Sequence, residues 1–396
     1  MMEKEVKIFD ELLSNASKIF KKEKTKFECF FSPGRINIIG EHIDYNGGCV
    51  LPCALDFGTY AVASKNTDEV VRCYSENFEE DGVIEFAIDE FRKSPKGSWV
   101  NFVKGMITEM VEDGYTFLNG FDIYVKGTIP NGAGLSSSAS LELLLGVILR
   151  DFYFLDYTNV ELALLGRRCE HHYIGVNCGI MDQFIIAMGE DKKAVQLNTA
   201  TLDYKYVNCE MDNYVIVIGN TNYRRTLDES KYNERRSECD KSLSLIQKHK
   251  QIKSLCDLNV SDLSEIKNIL NDEILYKRVK HVVSENDRVA KAINALNNKD
   301  YKLLGSLLNE SHNSLRDNYE VTGLALDSLV DSFRKEDILG SRMTGAGFGG
   351  CMIALVDKNK LDGMLERVNE SYYNLTGLKA DFYIARVGSK ARKVCL

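Results

Sequence analysis

Proline is scarce in this chain, with four residues in 396, and there is a single tryptophan. No polar tract or low-complexity block occurs, and the composition lies near that of globular proteins, which argues against a disordered chain or a coiled coil. No run approaches the ~20 consecutive apolar residues of a membrane span. The opening Met1-Met2-Glu3-Lys4-Glu5 has no cationic segment leading into an apolar one, so the expected location is the cytoplasm. A basic excess is missing too. With 50 Lys and Arg against 58 Asp and Glu, the net charge is −8, which disfavours nucleic acid, whose binders present a positive face to the phosphates. Eleven cysteines are present, but the count is odd and no Cys-x-x-Cys pair exists. Several, such as Cys49, Cys53 and Cys351, sit in apolar or Gly-rich runs, so they read as reduced structural thiols rather than disulfides or zinc ligands.

What the chain does have is length and clustered glycine. At roughly 100 to 200 residues per domain, its length suggests two domains. A shift toward charged helical stretches places the boundary near residue 205, giving 1–205 and 206–396. Val6, Phe9, Leu12, Leu13 and Phe20 predict an amphipathic helix ending near Lys24, followed by a strand over 27–31 that runs into Pro33-Gly34. Strands are expected within 49–64 and over 70–74, 83–88 and 121–125, and a helix over 99–111 stopped by Gly114. A loop over 127–135 leads into a helix over 136–150, and helices are expected at 160–175 and 179–189. Strands at 193–197, 202–207 and 214–219 precede long charged helices around 228–249, 273–297 and 300–317. The end reads as strand, Gly-rich turn and strand over 338–356, then a helix and a strand over 382–387. Strands and helices without regular alternation, and without an internal repeat, predict an α+β fold.

Three segments carry chemistry. Gly127-Thr128-Ile129-Pro130-Asn131-Gly132-Ala133-Gly134-Leu135-Ser136-Ser137-Ser138-Ala139-Ser140 follows a strand and opens a helix. Unpaired N–H groups at a helix start attract anions, and glycine lets the backbone approach them closely, so this loop suits phosphate. It is neither the Walker pattern nor the dinucleotide fingerprint. A Gly-rich turn with a serine cap is the alternative. Met343-Thr344-Gly345-Ala346-Gly347-Phe348-Gly349-Gly350-Cys351 is a second glycine loop, readable equally as a hairpin turn or as the far wall of a cleft. Between Arg35 and Tyr45 lie an arginine, two carboxylates and a histidine, groups that suit the hydroxyls of a sugar. Zinc is disfavoured there, because Glu41, His42 and Asp44 have no second histidine at ligand spacing and His171-His172 are adjacent.

These segments resemble the three signature motifs of the GHMP kinases, the galacto-, homoserine, mevalonate and phosphomevalonate kinases. The stretch from Gly34 through Tyr45 to Gly48 and Val50-Leu51-Pro52 is similar to the signature of their galactokinase branch. Cys178-Gly179-Ile180-Met181-Asp182-Gln183-Phe184 resembles the catalytic-aspartate segment, and Asn220-Thr221-Asn222 through Tyr232 to Arg235-Arg236 a further substrate segment. The resemblance implies a two-domain fold with its active site in the cleft between domains. It also implies transfer of the γ-phosphoryl of ATP to the anomeric hydroxyl of α-D-galactose, with Mg2+.

By position, the resemblance makes Asp182 and Arg35 catalytic, with Glu41, His42, Asp44, Gly179 and Tyr232 around the sugar. Gly132, Ala133, Gly134, Leu135, Ser136 and Ser137 fall to ATP, Ser138 to ATP and metal, and Glu170 to the metal. Gly345 and Gly347 stand in the glycine loop near the substrate. Trp99 matches an aromatic against adenine in some members, with core packing as the alternative. Asp182 and Glu170, taken alone, would pass as a helix-start carboxylate and a solvated helix residue. A kinase for N-acetylgalactosamine or arabinose, and a non-catalytic galactose and ATP sensor, are the rival functions. A monomer is slightly favoured.

Overall fold

In the computed structural model the structure describes residues 2–95, 97–130, 134–223 and 228–396, so the expected phosphate contacts Gly132 and Ala133 lie outside the described residues. Among these, the strands form three sheets. The first has six strands in the order Arg392–Val394, Glu28–Asn37, Pro52–Lys65, Phe121–Gly127, Val70–Ser75 and Ile84–Ala87. Side chains alternate across a strand. Phe31, Tyr60, Val62 and Tyr124 therefore take one face and are covered by Phe9, Leu12 and Ala16 of the N-terminal helix Met2–Phe20. Phe30, Ala61, Ala63 and Ile123 belong to the main core, where the helices Ser137–Tyr153 and Met181–Met188 pack on the sheet. The N-terminal helix stops before the expected Lys24, because Lys21 turns left-handed at φ 54°.

The strand expected over 27–31 runs on to Asn37, straight through Pro33 and Gly34. Its register slips between Pro33, opposite Gly58, and Arg35, opposite Ala54. A bulge tolerates the missing proline N–H, and Gly58 gives the room, since a β-carbon there would lie 2.0 Å from the Ser32 carbonyl oxygen. The motif from Gly34 to Tyr45 is therefore strand as far as Asn37 and turn beyond it.

The second sheet orders Gly340–Thr344, Cys351–Asp357, Tyr214–Asn220 and Asp381–Ala385, with the helices Tyr301–Ser314 and Leu324–Arg334 packed on it and Met364–Thr376 packed on Leu324–Arg334. The third joins Cys49–Val50, Lys193–Asn198 and Tyr204–Asn208, so residue 205 falls inside a strand. After Ala385 the chain returns to the first sheet: Gly388 N–H donates to Ala54, Ala391 N–H to Ile186, and Arg392–Val394 pairs with Glu28–Asn37. The helix expected over 160–175 is α-helical over Asn159–Arg168 and π-helical over Cys169–Ile174. Two helices, Leu263–Leu270 and Leu324–Arg334, were not anticipated, although Ala325, Leu326, Leu329, Val330 and Phe333 of the second form a buried stripe. No helix among the described residues is long and apolar enough to cross a membrane.

Candidate active site

A cavity of about 330 Å3 opens where the two glycine loops, the bulged strand's exit and the start of the helix Met181–Met188 converge. Of the residues singled out from sequence, Arg35, Glu41, His42, Asp44, Gly134, Ser136, Ser137, Ser138, Glu170, Gly179, Asp182, Tyr232 and Gly345 line it. Leu135, Gly347 and Trp99 do not. Leu135 and Trp99 are buried in the main core, so the packing alternative describes where the tryptophan sits. Gly347 instead packs at φ 83° against the Val321 carbonyl.

Arg35 organises one end. Its Nε and Nη2 donate to the two oxygens of Asp182 at 2.8 and 2.7 Å, and Nη1 donates to the Gly134 carbonyl at 2.7 Å. A planar fork matched to a carboxylate fixes both groups in orientation as well as distance. Burial alone would lower the Arg35 guanidinium, but the charges of Asp182 and Glu41 outweigh it and hold it above its ordinary value. Asp182 also accepts from the Ser136 hydroxyl. Ser136 is left-handed, φ 63°, at the head of the helix Ser137–Tyr153, and this strained conformation accompanies a hydroxyl turned to the carboxylate. The serine expected to meet phosphate thus meets Asp182.

The sugar motif forms the other end. Glu41, 1% exposed, accepts from Gly345 N–H at 2.8 Å, Thr344 Oγ1 at 3.1 Å and Asn37 Nδ2 at 3.0 Å. The second glycine loop is therefore both alternatives at once: it closes the antiparallel hairpin of 340–344 and 351–357 and also walls the cavity. His42 Nε2 faces the Ala346 carbonyl at 3.1 Å, and only an N–H satisfies a carbonyl, so Nδ1 accepts from the Tyr45 hydroxyl at 2.8 Å. Burial, with His281 nearby, pushes the His42 ring down to about 3, so it is neutral at physiological pH. Tyr232 stands 5.6 Å, ring to ring, from both His42 and Tyr45. Burial, then the charges of Asp182 and Glu41, push the Asp44 carboxyl up to about 7.

Three family models match: the galactokinase galactose-binding signature over residues 17–65, the GHMP kinases N terminal domain over 101–190 and the GHMP kinases C terminal over 290–374. The galactokinase of Clostridium acetobutylicum is 47% identical over 390 residues, spanning 98% of this chain and 99% of that protein. The chain belongs to the galactokinase family. The galactokinase of Enterococcus faecalis is 46% identical, with 97% of this chain and 100% of that protein covered. The crystal structure of Lactococcus lactis galactokinase complexed with galactose matches at a TM-score of 0.95 and 46% identity, covering 98% of this chain and 100% of that one. Methanococcus jannaschii mevalonate kinase shares the GHMP kinase fold at a TM-score of 0.65 and 18% identity, over 91% and 98% of the two chains.

The galactokinase-family site contains groups that sequence reading passed over. Val176, Cys178, Met181 and Ala346 also line the cavity. Glu142 lies four residues after Ser138 on the same helix face and is fully buried, with Oε2 accepting from Gln183 Nε2 at 3.0 Å. Burial, then the neighbouring Glu170, push the Glu142 carboxyl well above the usual carboxylate range. The spacing from Ser138 was the available signal. Arg342, Glu285 and His281, all fully buried, back the sugar motif from the C-terminal half, and no local sequence pattern sets them apart.

Proposed function

We propose that this protein transfers the γ-phosphoryl of ATP to the anomeric hydroxyl of α-D-galactose, giving galactose 1-phosphate and ADP. The observation that carries the reading is the forked Arg35–Asp182 pair, set between the sugar motif and the first glycine loop. Glu41, His42, Asp44, Gly179 and Tyr232 surround the sugar in this reading. The loop through Gly134 and Ser137 receives the phosphates, with Ser136 offering main chain because its hydroxyl is held by Asp182. The sugar oxygen bonds to the γ-phosphorus as the bond to the bridging oxygen of ADP breaks, and the hydroxyl proton passes to Asp182. Arg35 keeps Asp182 oriented and offsets charge as it spreads over the phosphoryl oxygens.

Magnesium fits the donor set. Ser138 and Glu170 offer hard oxygens to one cavity, and the buried Glu142 carboxyl interacts with Glu170 from behind it, a crowding of acidic groups that a divalent cation would relieve. Ser138 and Glu170 would hold the ion, which when bound neutralises phosphate charge. In this reading the division near residue 205 separates the sugar and phosphate loops from the glycine hairpin, and the protein acts as a monomer.

The test is ADP release by purified protein with ATP, Mg2+ and a panel of galactose, N-acetylgalactosamine, arabinose and glucose. Galactose should give the highest kcat/KM. Preference for another sugar would replace the substrate, and binding of galactose and ATP without ADP release would replace the activity with a sensor role.

A further inference from the structure

The turn that presents Glu41, His42 and Asp44 is held only in part by its own neighbourhood, through Ile38 N–H to the Leu51 carbonyl, Leu51 N–H to the Ile39 carbonyl and Asn46 Nδ2 to the His42 carbonyl. It reverses through Gly40 at φ 107° and His42 at φ 62°, and the latter is a backbone state that a side chain such as imidazole seldom adopts. Such a state persists only where the surroundings over-determine it.

The surroundings here come from the far half of the chain. Arg342 donates from Nη1 to the carbonyls of Asn37 at 3.2 Å and Ile38 at 2.8 Å, and its Nη2 lies 3.2 Å from Glu41 Oε1. Glu285 takes the Gly40 N–H on Oε1 at 3.0 Å, while Ser311 Oγ and Arg288 Nε hold its two oxygens at 2.7 and 2.8 Å. His281 Nε2 donates to the Glu41 carbonyl at 3.1 Å. Where the motif ends, Asn286 Oδ1 accepts from Cys49 N–H at 2.9 Å. His281, Glu285 and Asn286 share one helix, Glu273–Asn297, and Arg342 lies on the strand that feeds the glycine hairpin.

Burying charge is costly unless it is paired and fully hydrogen-bonded. Among the described residues, Arg342 donates both of its side-chain hydrogen bonds to carbonyls of the six-residue turn 37–42, and Glu285 accepts one of its three from an N–H of the same turn. None of Arg342, Glu285 and His281 lines the cavity. We infer that Arg342, Glu285 and His281 are positioning residues of the sugar site: they fix the main chain over 37–42 and thereby aim Glu41 and Asp44, without touching substrate. Among the described residues, the first glycine loop has none of these contacts and is held by Arg35, whose Nη1 donates to the Gly134 carbonyl and whose main-chain N–H donates to the Leu135 carbonyl.

Steady-state kinetics of Arg342→Lys, with each substrate varied in turn, tests this. Lysine keeps the charge but has one nitrogen, so it cannot hold the two carbonyls and Glu41 Oε1 at once as Nη1 and Nη2 do. Losing a charge-assisted bond to the turn should raise the galactose KM about tenfold, with the ATP KM within about twofold of the parent. Asn286→Ala, at a half-buried position, should move the galactose KM about threefold in the same selective way and carries the test if Arg342→Lys does not fold. A lowered melting temperature with both KM values unchanged, or equal rises in the two, would overturn the inference, because a purely structural role predicts either. The inference rests on the galactose kinase reading. A parent enzyme that releases no ADP with galactose sinks that reading, whereas an active parent with unselective variants sinks only this one.

Discussion

Alanine at position 179 sets one methyl group against one carboxylate. A β-carbon on Gly179 would stand 1.8 Å from Asp44 Oδ2 and 2.1 Å from its Cγ, so Asp44 must leave its place. Gly179 is not among the left-handed residues, and alanine therefore adds no backbone strain of its own. The obstructing atoms are the tip of a side chain at a cavity wall, not backbone, and the fold relaxes by swinging that tip aside. The melting temperature should accordingly stay within about 3 °C of the parent. What goes is the charge-assisted hydrogen bonding of Asp44 to the sugar, about 1.5–3 kcal/mol. At ~1.4 kcal/mol per factor of ten, galactose binding should weaken roughly 10- to 150-fold. Calorimetric titration with galactose at pH 8, above the value near 7 to which Asp44 is raised, measures this with the carboxylate ionised. An ATP KM measured alongside should hardly move. A variant that binds galactose as tightly as its parent would refute the placement of Asp44 beside Gly179 as a sugar contact.

Asp182→Asn should lower kcat by about a hundredfold or more while the galactose Kd stays within about threefold, because the amide keeps the shape but takes no proton. Near-parental turnover would remove Asp182 from the chemistry. Gly345→Ala places a β-carbon 2.6 Å from the Gly134 carbonyl oxygen, in a residue at φ 86°, and should raise the ATP KM about tenfold by pushing the two loops apart; an unchanged ATP KM would show that the loops do not bear on each other. Asp44 also predicts a pH effect on stability. Its folded value, about 7, lies above the ordinary 3.8, so its contribution is fully present below 3.8 and is lost as pH rises through about 7. Asp44→Asn should therefore raise the melting temperature more at pH 8 than at pH 5, and an equal shift at both would contradict the raised value.

Much of the site was legible because its residues are local. Arg35, Glu41, His42 and Asp44 lie within one stretch, and the phosphate loop announces itself by glycine before serines at a helix start. The fold class followed from strands and helices that do not alternate. What stayed hidden depends on distance along the chain. The Ser136 hydroxyl belongs to Asp182, 46 residues on, and needs a left-handed serine that no local pattern signals. The long strand through Pro33-Gly34 contradicts propensity, and it forms because Gly58 on the neighbouring strand leaves space for the bulge. The return of Arg392–Val394 to the first sheet is a pairing across almost the whole chain.

Charge was the most misleading cue, and for a physical reason. Helix Glu273–Asn297 reads as amphipathic with a solvated charged face, yet Arg278, His281, Glu285 and Arg288 are buried. A charged residue is expected outside unless something pairs with it. Here Arg278 pairs with Glu238 and Glu320, both distant in sequence, while Glu285 holds Arg288 together with a main-chain N–H of a distant turn and a serine of another helix, which carry no charge pattern to read. The same holds for the cavity. Among the described residues that line it, Glu41, Asp44, Glu170 and Asp182 face the single guanidinium of Arg35, a surface poorly suited to a triphosphate by charge alone. In the proposed reading, carboxylates accept hydrogen bonds from sugar hydroxyls, so Glu41 and Asp44 serve the sugar. Attraction for phosphate must then come from the start of the helix Ser137–Tyr153 and from the proposed magnesium at Ser138 and Glu170. In the proposed reading this division lets one cavity hold a neutral polyol and a polyanion side by side, with Arg35 and Asp182 at their border.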